Sequence, residues 1–270
     1  MADDRSSDPS WEFNWGDSAF DEGADHDKMM VGSDNRVSVL LARSTRSAAA
    51  SVLDVGKVYR TASEEVNALV KVSRDFPRGR ITAIAGPSGS GKSSLLRILA
   101  CVDRPSSGSV RVGGRDVASL RVRQRRALRR SSVSYMFQNP IDNLVDYLPA
   151  REQVRLASRL RGIRTNVEEI ERLLRVLGLD HRLRHTPHQL SGGEQQRLAA
   201  ACAVVGSPAI VIADEPTAEL DSAAADRVLE AFRDLRAEGV AFVISSHDPR
   251  VVAIADHLLR LDHGRVVEST

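Results

Sequence analysis

Residues 86–93 combine glycines, a lysine and hydroxyls in a spacing that suits phosphate chemistry. The stretch reads Gly-Pro-Ser-Gly-Ser-Gly-Lys-Ser, which fits the pattern of a glycine, four residues and Gly-Lys-Ser/Thr. Glycines let consecutive backbone N–H groups turn towards phosphate oxygens, and the positive end of a following helix favours the same anion. We therefore expect this P-loop to bind a nucleoside triphosphate through Gly86, Pro87, Ser88, Gly89, Ser90, Gly91, Lys92, Ser93 and Ser94. Lys92 would neutralise the β- and γ-phosphates, and the Ser93 hydroxyl would bind Mg²⁺.

A pair of carboxylates, Asp214 and Glu215, directly follows the apolar run at 209–213. Such a run is typical of a buried parallel strand, and α/β sheets bind their ligands beyond the carboxyl ends of their strands. In that position Asp214 is expected to hold Mg²⁺ through water. Glu215 is expected to orient or polarise the water that attacks the γ-phosphate. The alternative interpretation of the pair is a cap at the strand end.

A third segment, Leu190–Arg197, reads Leu-Ser-Gly-Gly-Glu-Gln-Gln-Arg. Ser191 and Glu194 have the spacing of a capping box, which predicts the start of a helix that runs to Val205. A capped helix start that exposes the N–H groups of Gly192 and Gly193 is itself an anion site. The segment can therefore begin a helix and bind a ligand at the same time.

The elements that must position these residues alternate between strands and helices. Strands are predicted at 50–55, 67–73, 81–85, 133–137, 209–213 and 240–244, with a short strand and tight turn within 109–115 and a closing hairpin at 257–268. Helices are predicted at 94–100, directly after the P-loop, and at 119–130, which is rich in arginine. Residues 141–188 are predicted to be mostly helical, with Asn166 and Glu169 spaced as a helix cap. This order predicts an α/β fold with a parallel core and a helical insert.

The first 45 residues differ in composition from the rest of the chain. Residues 1–36 carry ten acidic residues against three basic ones, so the remainder is basic although the whole chain has a net charge of +2. We interpret residues 1–45 as an acidic, disordered extension. Its tryptophans, Trp11 and Trp15, suit a docking segment, and the alternative is a solubilising extension. The basic remainder fits a nucleic acid, a membrane surface or a solvated face.

The two cysteines, Cys101 and Cys202, lie in apolar helical settings and are expected to fill the core of a protein in a reducing compartment. The sequence shows neither a run long enough to span a membrane nor a basic-then-apolar leader. We therefore expect a cytoplasmic protein.

The segment Leu190–Glu194 resembles the signature of the ATP-binding subunits of ABC transporters. The resemblance covers residues 51–268 and includes further motifs in the expected order. It implies a P-loop NTPase (RecA-like) core with an antiparallel β subdomain and a helical signature subdomain. On this basis residues 46–270 form one nucleotide-binding domain, with the helical subdomain at about 140–200. The implied cofactors are ATP and Mg²⁺, and the implied activity is ATP hydrolysis.

The resemblance also assigns roles to single residues. Tyr59 matches the aromatic residue that stacks on adenine, and Asp221 matches the aspartate of the D-loop. Gln138 matches the glutamine that senses Mg²⁺ and contacts the membrane partner, and His247 matches the switch histidine near the γ-phosphate. The implied catalytic residues are Glu215, His247 and Gln138, and the implied metal ligands are Ser93, Gln138 and Asp214. Residues that would close over the nucleotide of a second copy are Ser191, Gly192, Gly193 and Glu194.

Within that family the chain is similar to the macrolide-exporter, lipoprotein-releasing and cell-division ATPases, through residues 65–69, 100–108 and the arginine helix. This implies two partners, a transmembrane permease and a second copy in a head-to-tail dimer around two Mg-ATP. Nucleic acid is not expected as a partner, and membrane contact is expected only through the permease, at the inner face of the cell membrane. The coupled work would be export, release of a lipoprotein or lipid, or the transmission of motion.

Two other function classes share part of these motifs. A soluble ABC ATPase acting on nucleic acid or protein complexes would use the same ATP-hydrolysing motifs, and the arginine helix could be taken as evidence for this class. Such proteins carry a long coiled-coil insertion or a second cassette, and neither is visible here. A small-molecule kinase shares the P-loop but has no use for the signature helix or the switch histidine.

Overall fold

The computed structural model describes residues 48–60 and 64–270, so the predicted acidic extension lies outside the described residues. The strands are β1 Ala48–Arg60, β2 Glu65–Pro77, β3 Ile81–Ala85, β4 Ser107–Val112, β5 Arg115–Asp116, β6 Val133–Met136, β7 Ile210–Asp214, β8 Phe242–Ser245, β9 His257–Asp262 and β10 Arg265–Ser269. The helices are α1 Lys92–Leu99, α2 Val122–Ser132, α3 Ala150–Leu160, α4 Val167–Val176, α5 Gly192–Val204, α6 Ser222–Ala237 and α7 Pro249–Ile254. Short 3₁₀ turns lie at Pro140–Asn143, Asp180–Arg182 and Pro187–Gln189.

The larger sheet has the order β10-β9-β3-β8-β7-β6. Its neighbours from β9 to β6 run parallel, and β10 closes the edge antiparallel to β9. The continuous apolar runs of β3, β7 and β8 form strands whose two faces are both covered, as expected for a parallel core. In β7, Ile210 and Ile212 face one hydrophobic core, whereas Val211 and Ala213 face the other.

The smaller sheet is antiparallel, with the order β2-β1-β4-β5. Its strand β1 extends well beyond the predicted 50–55, because register irregularities between Val52 and Val58 let the chain bend without leaving the sheet. Asp54, at φ 49°, lies in this irregular stretch. The inner face of the sheet buries Val52, Leu69 and Phe76 against α1, on one side of the parallel sheet. The predicted antiparallel β subdomain is thereby confirmed.

The other side of the parallel sheet is covered by helices, including α3, α5 and α6. Helix α4 begins as predicted, because the Asn166 side chain accepts a hydrogen bond of 2.7 Å from the N–H of Glu169. Helix α5 is buried over most of its length, so its small alanines suit the close packing around it. The α/β class with a helical insert is confirmed.

The starts of two helices and the place of Cys101 also differ from the sequence-based expectation. Helix α1 begins at Lys92, not Ser94, because Gly91 adopts φ 102° and ends the loop there. Helix α2 begins at Val122, later than the predicted residue 119, and the N–H of Arg121 donates to the Gln124 side chain at 2.9 Å. Cys101 lies in the turn after α1, not in a helix, at φ 55°.

Both cysteines are free, as expected. Burial raises the pKa of the Cys101 thiol to about 11 and that of Cys202 to about 12. Neither thiol therefore ionises near neutral pH, which agrees with a packing role.

Candidate functional site

The residues predicted to act on the nucleotide follow four adjacent strands and lie at one edge of the parallel sheet. The P-loop follows β3, Gln138 follows β6, Glu215 follows β7 and His247 follows β8. The parallel register pairs Ile84 with Ser245 and Asp214 with Ser245, so these strands end at the same level. Four segments that are distant in the sequence therefore meet at the carboxyl ends of the strands, where α/β sheets bind ligands.

The P-loop follows a path that only glycine allows at two of its positions. Gly86 lies at φ 147°, and a Cβ there would come within 2.2 Å of the Leu261 carbonyl oxygen. Gly91 lies at φ 102°, and a Cβ there would come within 2.4 Å of the Ala68 carbonyl oxygen. The loop therefore sits directly against the backbones of β2 and β9, which fix its position behind the anion site.

Lys92 reaches back across the loop from the first turn of α1. Its Nζ donates hydrogen bonds to the carbonyl oxygens of Gly86, at 2.7 Å, and Pro87, at 3.0 Å. Both acceptors belong to the stretch whose N–H groups would surround a phosphate. The ammonium group therefore lies over the mouth of the loop, where a γ-phosphate oxygen could replace a carbonyl oxygen as its partner.

Asp214 is held by two hydroxyl groups from neighbouring strands. The Tyr135 hydroxyl donates to its Oδ2 at 3.0 Å, and the Ser245 hydroxyl donates to its Oδ1. Burial, together with the adjacent Asp214 charge, raises the pKa of Tyr135, so its hydroxyl stays protonated and remains a donor. The carboxylate orientation is therefore fixed before any cation arrives.

Glu215 lies directly after β7 in the left-handed region, at φ 46°. Its Oε2 accepts hydrogen bonds from the Ser246 hydroxyl at 3.1 Å and from the His247 N–H at 3.4 Å. The Nδ1 atom of His247 lies 3.1 Å from the same oxygen, and the His247 side chain is 76% exposed whereas that of Glu215 is 18% exposed. The carboxylate is thus sheltered and connected to an imidazole that projects into the opening.

These residues surround an open cavity of about 750 Å³. Its lining includes the whole predicted P-loop, Gly86 to Ser94, together with Gln138, Asp214, Glu215 and His247. Sequence reasoning missed four further lining residues, which are Val66, Asn67, Ala68 and His263. The first three lie at the start of β2 and His263 lies in the β9–β10 turn. The resemblance covered residues 65–69 but gave them no role in the site, since their place beside the loop depends on which strands pack there.

Gln138 opens an exposed segment that follows β6. The Asn143 side chain holds this segment by accepting from the Phe137 N–H at 2.9 Å and donating to the Phe137 and Asn139 carbonyl oxygens. Phe137, Ile141 and Tyr147 are 49%, 39% and 78% exposed. The segment therefore presents apolar side chains to the outside while its backbone is fixed beside the cavity.

The signature segment forms the predicted capped helix start but does not line this cavity. The Ser191 N–H donates to Glu194 Oε2 at 2.8 Å, and the Glu194 N–H donates to the Ser191 hydroxyl at 3.3 Å. Burial opposes ionisation of Glu194, but hydrogen bonds from Ser191 and Arg182 outweigh it and lower the pKa to about 2. Gly192 is exposed at the tip of α5, whereas Gly193 is buried against Ala224 of α6.

Asp221 and Tyr59 also lie outside the lining of the cavity. The Asp221 side chain caps α6 by accepting from the Ala224 N–H at 2.8 Å, next to the start of α5. The Tyr59 hydroxyl donates to Asp103 at 3.1 Å, and Lys57 Nζ lies 4.8 Å from its ring centroid. One face of the Tyr59 ring is therefore in contact with a cation at the end of β1.

The donor set at the strand ends suits a hard cation that retains water. Ser93, Gln138 and Asp214 offer oxygen atoms around one cavity. Within residues 48–60 and 64–270, no group of three or more His, Cys, Asp or Glu side chains is close enough to hold a metal by itself. Mg²⁺ commonly uses one or two carboxylates plus substrate phosphates, so these residues fit Mg²⁺ better than a metal that needs a closed protein cage. In the same described part of the chain, no helix has the length and apolar character to cross a bilayer.

Comparisons with known proteins agree with this geometry. The family model described as "ABC transporter" matches residues 69–218. The macrolide export ATP-binding/permease protein MacB 1/2 of Paracoccus denitrificans is 41% identical over 215 residues, which are 79% of this chain and 32% of that protein. This chain thus spans about a third of the length of the macrolide-export relatives that it matches. The uncharacterized ABC transporter ATP-binding protein YknY of Bacillus subtilis is 35% identical over 219 residues, 80% of this chain and 94% of that protein.

Solved structures show the same similarity. A dimeric ATP-binding cassette in a post-hydrolysis state, bound to ADP and Pi, superposes with a TM-score of 0.69 at 31% identity, covering 82% of this chain and 97% of that one. A protein of Clostridium perfringens that is part of the ABC transporter complex cbiONQ gives a TM-score of 0.72 at 25% identity, covering 83% and 88% of the two chains.

Proposed function

The chain belongs to the ABC transporter family, and we propose that it is the ATP-binding and ATP-hydrolysing subunit of a transporter. The observation that carries this proposal is the cavity in which the P-loop, Asp214, Glu215, Gln138 and His247 meet. A phosphate-binding loop opposite a sheltered carboxylate is the arrangement that hydrolysis of a triphosphate requires.

In this proposal the P-loop N–H groups and Lys92 bind the phosphates, and the start of α1 adds its positive dipole end. Ser93, Gln138 and Asp214 would hold Mg²⁺, which neutralises charge on the β- and γ-phosphates when bound. The hydroxyls of Tyr135 and Ser245 keep the Asp214 carboxylate in place.

Glu215 orients and polarises the attacking water. Its Oε2 already accepts from Ser246 and His247, so its other oxygen, Oε1, would be the acceptor for the water. His247 remains exposed beside Glu215 and would donate a hydrogen bond to the γ-phosphate of a bound nucleotide. The two side chains therefore act as one unit, with His247 holding Glu215 in position.

We further propose that two copies assemble head to tail. The signature helix start, with Ser191, Gly192, Gly193 and Glu194, lies outside its own cavity. The capping box pairs the N–H groups of Ser191 and Glu194, and those of Gly192 and Gly193 remain suited to an anion. It would close over the γ-phosphate bound to the partner copy, with Asp221 at the junction. A single copy would then bind ATP but hydrolyse it poorly. Tyr59 would stack on adenine through the ring face opposite Lys57.

The exposed apolar segment from Phe137 to Tyr147 is proposed as the contact to a transmembrane permease. Because the segment contains Gln138, which lines the cavity, movement of the permease contact would reach the nucleotide directly. This proposal places the subunit in the cytoplasm, at the inner face of the cell membrane. Identification of a permease that co-purifies from membranes through this segment would support it, whereas co-purification of nucleic acid would favour a soluble ABC ATPase.

The test of the hydrolytic role is Glu215→Gln. The amide keeps an oxygen acceptor for Ser246 but is a poor base, so turnover should fall by about 10²–10⁴-fold. ATP binding should persist, and light scattering with Mg-ATP should show a trapped dimer. Glu230→Gln, on the exposed face of α6, is the matched control and should hydrolyse ATP normally. Normal turnover in Glu215→Gln would refute the assigned role.

A further inference from the structure

Helix α2 carries a cluster of positive charge that the proposed ATPase site does not use. Arginines occupy six of the ten positions from 121 to 130, and none of them forms an ion pair with another described residue. Arg123, Arg126 and Arg130 are exposed and share one side of the helix, opposite the buried Leu128. We call these three side chains the arginine face.

The base of this helix also holds an unsatisfied donor. The Nη1 atom of Arg125 is buried and has no hydrogen-bond partner among the described residues. A buried guanidinium N–H without an acceptor is costly, and carboxylates are its usual partners. Arg125 is three residues before the buried Leu128, so this donor lies on the inner side of α2 and does not belong to the arginine face.

The same chain contains a segment of complementary charge. Residues 1–36, here called the acidic segment, carry ten acidic and three basic residues. Both tryptophans of the protein, Trp11 and Trp15, lie within it. Indole rings stack on guanidinium groups, so the segment can combine ion pairs with cation–π contacts.

The described chain enters the fold beside the end of α2. The Gly113 N–H donates to the Ala49 carbonyl oxygen at 2.9 Å, close to the start of β1. A Cβ on Gly113 would lie 3.4 Å from the Ser132 hydroxyl, at the last residue of α2. Residues 37–47 can span at most about 36 Å, and the 11 residues of α2 extend for about 16 Å. The acidic segment can therefore reach the whole arginine face.

We propose that the acidic segment docks on the arginine face of its own chain and covers it against other anions, such as lipid headgroups. Single exposed ion pairs contribute little. Here several carboxylates would meet several arginines that have no ion-pair partner among residues 48–60 and 64–270, and the intramolecular link would keep the local concentration of the segment high. The interaction is electrostatic and must weaken as salt shortens the screening length.

The tryptophans provide the test in the full-length protein. A nitroxide spin label on Ala127→Cys, an exposed position of α2, quenches indole emission only at short range. The same label on Ala237→Cys, exposed at the end of α6, is the matched control, and the parent chain treated with the same reagent gives the background. Quenching from position 127 alone is expected, and equal quenching from both positions would overturn the proposal.

Two perturbations show whether charge holds the segment there. Raising the salt from about 0.1 M to 1 M shortens the screening length from about 10 Å to about 3 Å, and quenching from position 127 should fall at least twofold. Replacing the three members of the arginine face with glutamine should have the same effect at low salt. The control replaces three exposed arginines on other surfaces, Arg78, Arg175 and Arg233. Quenching that withstands both the salt and the loss of the arginine face would contradict the proposal.

Vesicles of phosphatidylcholine with phosphatidylserine test the covering role. Asp17→Asn, Asp21→Asn and Asp25→Asn together remove three of the ten carboxylates of the acidic segment in the full chain. This triple variant should cover the arginine face less well and bind the vesicles several-fold more tightly. If the parent chain binds these vesicles as tightly as the triple variant, the arginine face is already open to the membrane and the acidic segment does not cover it.

Discussion

The turn between β9 and β10 holds the P-loop from behind, and Gly264 is its central residue. The Gly264 N–H donates to the Ser90 carbonyl oxygen at 3.0 Å, and its own carbonyl oxygen accepts from the Val70 N–H at 2.8 Å. Gly264 lies at φ 75°, and a Cβ there would come within 2.8 Å of the Ala68 carbonyl oxygen. Alanine at this position must displace either β2 or the P-loop.

The cost of Gly264→Ala has two parts. A left-handed conformation costs alanine about 1–2 kcal/mol, and forcing extra atoms against fixed backbone costs about 1–3 kcal/mol more. We therefore expect a loss of about 2–5 kcal/mol in the free energy of unfolding. Gly114→Ala isolates the first part, because Gly114 has φ 80° and a Cβ there would meet no heavy atom within 4 Å. That control should lose only about 1–2 kcal/mol.

Urea unfolding followed by circular dichroism measures the loss of stability in both variants. Titration with a fluorescent ATP analogue measures their nucleotide affinity, which depends on the P-loop. Because Gly264 holds Ser90 of the P-loop, Gly264→Ala should bind nucleotide more weakly than the parent, whereas Gly114→Ala should bind normally. Equal stability losses in the two variants would show that the methyl group meets no obstacle. Unchanged nucleotide affinity in Gly264→Ala would show that the turn does not support the P-loop.

Two further predictions concern side chains that act through hydrogen bonds. Tyr135→Phe removes a hydroxyl donor from Asp214, and hydrogen bonds to charged groups contribute about 1.5–3 kcal/mol, so half-maximal ATPase activity should require clearly more Mg²⁺. Tyr147→Phe, on an exposed ring, is the control, and an unshifted Mg²⁺ dependence in Tyr135→Phe would contradict the assigned positioning. Glu194→Gln keeps a capping acceptor but loses the charge whose folded pKa is about 2 against an ordinary 4.5. The ionised Glu194 carboxylate stabilises the fold fully at pH values above its unfolded pKa, and this stabilisation is lost as the pH falls through its folded pKa. The difference in urea midpoint between parent and variant should therefore shrink as the pH is lowered from about 5 to about 2. A difference that stays constant over this range would exclude the ion pair as its cause.

Sequence patterns predicted most of the elements but not all of their limits. The strands predicted at 81–85 and 209–213 lie at Ile81–Ala85 and Ile210–Asp214. A run of apolar residues is enough to predict a buried strand, whichever elements pack against it. The predicted start of α1 is wrong by two residues. The helix begins where the backbone angle of Gly91 allows it to begin, which is before the apolar periodicity that predicted it. The length of β1 was underestimated because its irregular register interrupts the alternation that marks a strand.

Local sequence was sufficient to select the segments to which we assign the chemistry, namely the P-loop, the acid pair after β7, Gln138, His247 and the capped signature helix. Each of these segments is a short motif whose residues are close together in the chain, so the spacing of those residues is enough to identify the motif. Strand order and parallel register decide which of these segments share a cavity, and only the tertiary structure provides that order and register. Folding brings Tyr135 and Ser245 onto Asp214 and Gly264 behind the P-loop, and it leaves the signature helix outside its own cavity. These contacts join residues far apart in the chain, and the packing of whole elements, not any local pattern, brings them together.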